Sequence, residues 1–398
     1  MALLTGPRQT YYASSGVENI LVRFVEDEIA ELEPDVTPLL VMSVKAQRKR
    51  ATYSPKIEVI EDALRGAWVY HTAAAIDSVT TTVVVNDGSL VATSDLLSVM
   101  KVDSSAVAEE VIRVTAKSGN TLTVTRAIGG SGADTISQTQ ALLIIGSAYG
   151  EGAAYGAPRT TQKTPVVSYT QIFREPVQIT GTQRATRTYG GQSEALRQEA
   201  AALKQLKLQI EKAGFWSRAS ESLAENATYR TTMGLKAAIS TNVTNGGTTL
   251  TQATMNTFSE SAFRFGSRAK LFVGAPKYIS AINSFVQGQL MTKSGDTVYG
   301  VQVMTLVLPH GRLLLANNWL MEDGISGQAG LDDEAYAVDL GAVEWYYLAA
   351  NGVSRDVALY RNVVKDGVDA EKHEFLGECG WVFKNQKKHA RIHNVSAY

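Results

Sequence analysis

The sequence predicts an α+β chain, and three observations predict it. One long amphipathic helix sits mid-chain, a valine- and threonine-rich succession of short strands precedes it, and alternating helix and strand signals follow it. The helix comes first because the rest is arranged around it. Residues 190–222 read GGQSEALRQEAAALKQLKLQIEKAGFWSRASES, and Leu196, Leu203, Leu206 and Ile210 recur at helical spacing as one apolar stripe. Arg197, Lys204, Lys207 and Glu211 fall on other faces, with Lys207 and Glu211 four apart and close enough to pair. Ser193 is the expected N-cap, and Gly214 the expected end or kink. A helix of roughly 25 residues is nearly 40 Å long at about 1.5 Å per residue, longer than a compact domain needs.

The remaining elements follow in chain order. Residues 1–38 read as an arm. Within it, residues 17–32 form a short helix with Ile20, Leu21, Phe24, Val25, Ile29 and Leu32 on one side. Glu26, Asp27, Glu28, Glu31 and Glu33 make its acidic side, and Pro34 and Pro38 stop it. The basic run Lys45, Arg48, Lys49 and Arg50 lies in extended chain leading to Ile57, and is too small to be a nucleic-acid platform. From 70 to 150, short strands alternate with turn residues, and 111–115 and 121–125 flank Lys117-Ser118-Gly119-Asn120 as a hairpin. This block reads as a small β subdomain inserted into a longer extended excursion, with the glycine- and alanine-rich 150–156 as the hinge back. Residues 164–182 alternate apolar and polar and return as strands. After the long helix, 251–263 and 276–285 read as helices, and 271–274, 301–308 and 312–316 as strands of a mixed domain. Residues 343–348, 356–361 and 374–382 are closing strands, followed by a basic stretch with Lys384, Lys387, Lys388 and Arg391.

Composition bounds the function. With 398 residues, 44% of them hydrophobic, the chain can hold two or three domains and a sizeable core. A formal net charge of -1 gives the whole surface no strong pull on nucleic acid or anionic membrane. Cys379 is the single cysteine, which excludes an intrachain disulfide framework and a cysteine-rich metal site. MALLTGPRQTYYASS has neither a charged start nor a long apolar run, so no secretory signal is expected, and runs such as 141–145 are too short to span a bilayer.

No constellation of catalytic residues emerges. Gly150, Gly152 and Gly156 follow an apolar run as a dinucleotide loop would, but the third glycine is one residue late and Pro158 opens no helix. His389 and His393 are four apart, in a basic setting that supplies no third ligand. Cys379 falls in a predicted strand as a buried thiol, and Asp332-Asp333-Glu334 reads as a solvated acidic turn. No enzyme, cofactor or metal is expected.

Several short stretches occur in a telling order. They are EPDVTPLL at 33–40, residues 110–126 with Gly129-Gly130, Tyr169-Thr170-Gln171-Ile172-Phe173 and Ile179-Thr180-Gly181-Thr182. Gly234-Leu235, Val298-Tyr299-Gly300-Val301-Gln302-Val303 and Lys387-Lys388-His389 complete the series. Together with the order of arm, β excursion, spine helix, α/β domain and returning strands, they resemble the major capsid proteins of tailed bacteriophages with the Hong Kong 97-type fold, in the SU-ten-like branch. The resemblance implies an N-terminal arm over 1–50 and an E-loop region over 51–185 with its β insertion at about 70–150. It implies a P-domain spine over 186–232, an A-domain over 233–340 and closing P-domain strands over 341–398.

The function so implied is self-assembly into an icosahedral shell around a double-stranded DNA genome. The implied partners are copies of the chain as hexamers and pentamers, with portal, a separate scaffold and decoration proteins, and packaged DNA held without sequence specificity; no membrane is involved. The implied location is the virion capsid, after assembly in the host cytoplasm. Complementary charge between subunits would pair Glu26, Glu28 and Glu31 of the arm with Lys45, Arg48, Lys49 and Arg50. Lys56 or Lys163 and Asn362 or Asn385 fall where some relatives are joined by an isopeptide bond, but nothing aligns them and no cross-link is expected. A virion tail or adhesin protein and an encapsulin-type compartment shell are the other readings.

Overall fold

The computed structural model describes residues 37–100, 110–186, 194–286, 292–298, 301–321, 331–361 and 369–395, apart from Tyr155, Ala157, Asn226 and Thr248. The chain divides into two compact units, one of Met1–Val59 with Val166–Tyr398 and one of Ile60–Pro165. The acidic arm helix, Ser193 and Asn362 lie outside the described residues.

In the first unit the long helix runs Glu194–Trp216. It packs against an antiparallel pair, Gln171–Thr180 with Ala370–Phe383, in a six-stranded sheet that continues through Val343–Ala350 to Lys49–Thr52. The buried face is turned from the predicted stripe. Glu199, Ala202, Leu206, Ile210, Glu211, Gly214 and Phe215 are buried, Leu203 packs partly, and Leu196 is 57% exposed. Gly214 neither ends nor kinks the helix. A Cβ there would lie 2.9 Å from the Trp381 indole nitrogen, which donates to the Ile210 carbonyl at 3.1 Å, so only glycine permits this approach. The next residue, Phe215, meets the ring of Tyr336 at 5.4 Å between centroids.

Tyr336 belongs to a seven-stranded mixed sheet, ordered Val243–Asn245, Ala390–His393, Ala335–Val338, Ala269–Gly274, Gly311–Asn317, Val301–Leu308 and Thr292–Val298. Helices Gln252–Phe263 and Pro276–Val286 accompany it, as the helical spacing predicts. Strand Ala335–Val338 is absent from the sequence reading, because four residues buried on both faces show no alternation. A second omission is the helix Pro38–Lys45. Pro38 starts this helix, at the position where a missing N–H costs nothing, so Lys45 closes a helix instead of lying in extended chain.

The second unit has its own core, with Val69, Val83, Leu97, Ile112, Leu122 and Leu142 among its members. Its strands run in the order Trp68–Tyr70, Ala141–Ser147, Asp95–Val99, Glu110–Ser118, Thr121–Thr125 and Thr82–Val84. A bridge between His71 and Val85 joins the two ends of this series, closing the sheet into a small barrel and leaving no free edge there. The predicted hairpin is present, with Gly119 at φ +58° in its turn. Polar ties reinforce the wall. Arg126 forks onto Glu110 with both contacts at 2.6 Å, and Lys117 Nζ donates to the carbonyls of Gly88 and Val91 at 2.7 and 2.9 Å. The stretch after Gly150 belongs to this unit. Arg159 reaches Asp95 at 2.6 Å, and the chain stays with this unit to Pro165.

Candidate assembly surfaces

Two of the four basic residues singled out by sequence already have acidic partners in their own subunit. Strand Lys49–Thr52 runs parallel to Val343–Ala350. This places the Lys49 ammonium on Asp356 and over the rings of Trp345 and Tyr347, at 4.9 and 5.1 Å from their centroids. Arg50 lies 3.2 Å from Glu344, which also holds Lys384 at 2.7 Å and accepts from the Tyr346 hydroxyl at 2.5 Å. Burial works against ionisation of Glu344, but these hydrogen bonds and the Lys384 and Arg50 charges outweigh it and hold the carboxyl below its usual range. Lys384 is therefore tied to the sheet. Lys45 is exposed and Arg48 half-buried, and neither has an acidic partner among the described residues.

Helix Pro38–Lys45 is fixed by a carboxyl group from the long helix. Thr37, the N-cap of helix Pro38–Lys45, makes no side-chain cap, and Glu211 supplies one instead. The N–H groups of Leu39 and Leu40 donate to its two oxygens at 2.9 and 2.7 Å. Burial pushes the carboxyl up to about 8 against the pull of those two bonds. Glu211 is thus not the surface partner of Lys207 that their spacing predicts. No local signal could have revealed this, since its donors lie 171 and 172 residues away.

The other residues noted in the sequence have structural roles. Asp332-Asp333-Glu334 is not a solvated turn. Asp332 pairs with Lys277 at 3.0 Å, Glu334 with Lys236 at 2.5 Å and with the Tyr336 hydroxyl, and the Asp333 carbonyl accepts from Tyr278 at 2.7 Å. His389 is buried and follows a short 3-10 turn, while His393 ends a strand, so they share no helical face. Burial, helped by the nearby Lys270 charge, lowers His389 to about 4. Cys379 is fully buried and its thiol is pushed up to about 12.

Apolar side chains left in solvent mark the surfaces available to partners. On the outer barrel wall Trp68 and Tyr70 are half exposed, and their strand pairs with Ala141–Ser147, which carries exposed Ile145. In the first unit Tyr53, Leu196, Leu223, Tyr229 and Trp319 are more than half exposed. Apolar residues of this size on both units suit a subunit that covers them in a larger assembly. The chain belongs to the SU10 major capsid protein family, whose model matches residues 8–396. It is a major capsid protein of a tailed phage, and the resemblance read from the sequence holds across nearly the whole chain.

Among solved structures, the chain is similar to the capsid of Myoviridae phage XM1, with 8% identity, 96% of this chain and 99% of that chain covered, and a TM-score of 0.47. It is similar to the capsid of a native GTA particle, with 8% identity, 95% and 96% covered, and a TM-score of 0.48. It is also similar to the SrpI encapsulin of Synechococcus elongatus PCC 7942, with 9% identity, 59% and 78% covered, and a TM-score of 0.44. No curated protein matches the chain. Among the described residues, no helix is long and apolar enough to cross a membrane.

Proposed function

We propose that the chain assembles through hexamers and pentamers into a closed icosahedral shell around a double-stranded DNA genome. The observation that carries this reading is the family match over residues 8–396. In this reading the fold is of the Hong Kong 97 type, with an arm over 1–50, an E-loop region over 51–185 that carries the barrel, a P-domain over 186–232 and 341–398, and an A-domain over 233–340. Portal, scaffolding and decoration proteins join the copies of the chain, assembly takes place in the host cytoplasm, and the role is structural, with no reaction assigned.

Exposed apolar side chains on both units supply the area that neighbouring copies cover. Charge then sets register, with Glu26, Glu28 and Glu31 of one copy meeting the basic run of the next. Since Lys49 and Arg50 are held by Asp356 and Glu344, Lys45 and Arg48 carry that contact. Electron microscopy of the expressed protein tests the reading, with closed shells or hexamers expected. Lys45→Glu with Arg48→Glu is expected to abolish particles while circular dichroism stays native. Normal particles from that variant would refute the pairing.

A further inference from the structure

Two arginines and a histidine line one exposed depression of the first unit, and a third arginine stands in the loop that leads into it. Ala269 pairs with Arg312 across parallel strands, and the Arg312 N–H donates to the Arg268 carbonyl at 2.9 Å. Arg268, His310 and Arg312 line a shallow, solvent-open depression of about 520 Å³ together with Ser267 and the turn at Pro309. Arg264 and Phe265, both exposed, stand in the loop just before Arg268, with the Arg264 guanidinium 5.7 Å from the Phe265 ring centroid. No carboxylate pairs with Arg264, Arg268 or Arg312 among the described residues, and none lines the depression.

The ground beneath this face is electrostatically arranged. Helix Gln252–Phe263 ends here, and its carbonyls would repel an anion. The buried Lys270 ammonium cancels that by accepting none and donating three bonds: to the Ala262 carbonyl at 2.6 Å, to Phe265 at 2.9 Å, and to Lys388. Asp339, behind this face, accepts from the N–H groups of Ser267 and Gly341 at 2.9 Å each.

We propose that this face, Arg264, Arg268 and Arg312 with His310 and the Phe265 ring, binds the phosphate backbone of packaged double-stranded DNA. The inference rests on the shell reading and adds to it which side of the wall meets the genome. An acidic protein segment is the competing ligand. The depression is open and holds no enclosed pocket for an anchoring side chain, whereas a protein contact draws its energy from such anchors. Phosphates need only spaced cations, and contact through them is independent of sequence.

The test uses the full-length unassembled chain and a short labelled duplex of random sequence, with binding followed by fluorescence anisotropy between about 50 and 200 mM salt. Arg268→Glu with Arg312→Glu is expected to weaken binding at least tenfold at the lower salt. It should also flatten the salt slope by about 2, one for each lost phosphate contact. Arg268→Lys with Arg312→Lys should retain most of the binding. The charge-matched control Arg65→Glu with Lys163→Glu, at exposed positions of the other unit, should leave it within about twofold. An unchanged slope in the first variant overturns the proposal, and so does an equal loss in the control. If a peptide of residues 17–36 binds in an Arg268-dependent way while the duplex does not, the face reads an acidic segment and the proposal is wrong. Electron microscopy separates the two readings. Wild-type shells with an unchanged slope sink only the DNA contact, whereas the absence of any wild-type shell sinks the shell reading and this inference together.

Discussion

In the barrel, strands pair with strands close by in the chain: Glu110–Ser118 with Thr121–Thr125, and Asp95–Val99 with Glu110–Ser118. Its core and its deepest ion pair, Glu110 with Arg126, are drawn from within 106 consecutive residues, 60 to 165. The unit around the spine helix is stitched from far apart. Leu39 meets Glu211, Ile210 meets Trp381, and Ser168 donates to the Trp381 carbonyl, across 172, 171 and 213 residues. Loop closure makes the second kind of contact entropically costly until the whole chain is in place. The barrel can therefore order locally, while the spine unit depends on strand Ala370–Phe383 near the end of the chain.

The largest expected effect comes from breaking that strand. Trp381→Ala should cost about 3–5 kcal/mol, through the cavity left beside Gly214 and the lost bond to Ile210. Hydrogen exchange should then show lost protection around the spine helix with barrel amides unchanged; a parallel loss in the barrel would mean that the two units unfold together. Leu122→Ala is the reciprocal experiment. At this fully buried barrel position it should cost about 2–5 kcal/mol and leave protection at Trp381 and Glu211 intact.

Glu211→Gln probes the tie to helix Pro38–Lys45 more gently, with an expected loss of about 1–3 kcal/mol at neutral pH because one of two buried N–H groups loses its acceptor. Its pH dependence has a definite sign. The folded carboxyl titrates near 8 against 4.5 unfolded, so the folded state holds the proton more tightly. Stability from this group is therefore full below about 4.5 and falls as pH rises towards 8, by up to about 1.4 kcal/mol per unit. Thermal melts from pH 5 to 8 should show that decline in the wild type and a flatter curve in Glu211→Gln. Equal slopes would show that Glu211 does not titrate there. The smallest effect is expected at Leu196, where Leu196→Ser should change subunit stability by less than about 0.5 kcal/mol, since the side chain stands mostly in solvent. A larger drop in the melt would place Leu196 in the core after all.

Much of the fold was legible in advance wherever periodicity is local. The spine helix, the barrel hairpin, the helices at 252–263 and 276–286 and the strand Gly311–Asn317 all sit where their patterns put them. The errors share a cause. Glu211, Gly214 and Asp332-Asp333-Glu334 were read by residue type, as surface charge, helix breaker and polar turn. Each is instead defined by a partner supplied from elsewhere in the chain: the Leu39 and Leu40 amides, the Trp381 indole, and Lys236, Lys277 and Tyr278. The basic run at 45–50 was visible, but Asp356 and Glu344 as its neighbours were not.

By itself the sequence determined the α+β class, the helical spine, the β-rich insertion and the family, because these depend on hydrophobic period, turn residues and motif order. Only the tertiary structure decided that the insertion closes on itself at His71 and Val85, that the Glu211 carboxyl holds helix Pro38–Lys45, and that Arg268, His310 and Arg312 line one depression. Burial and pairing belong to two residues at once, and a residue's own neighbours in the chain do not say which distant group will take its charge or its hydrogen bond.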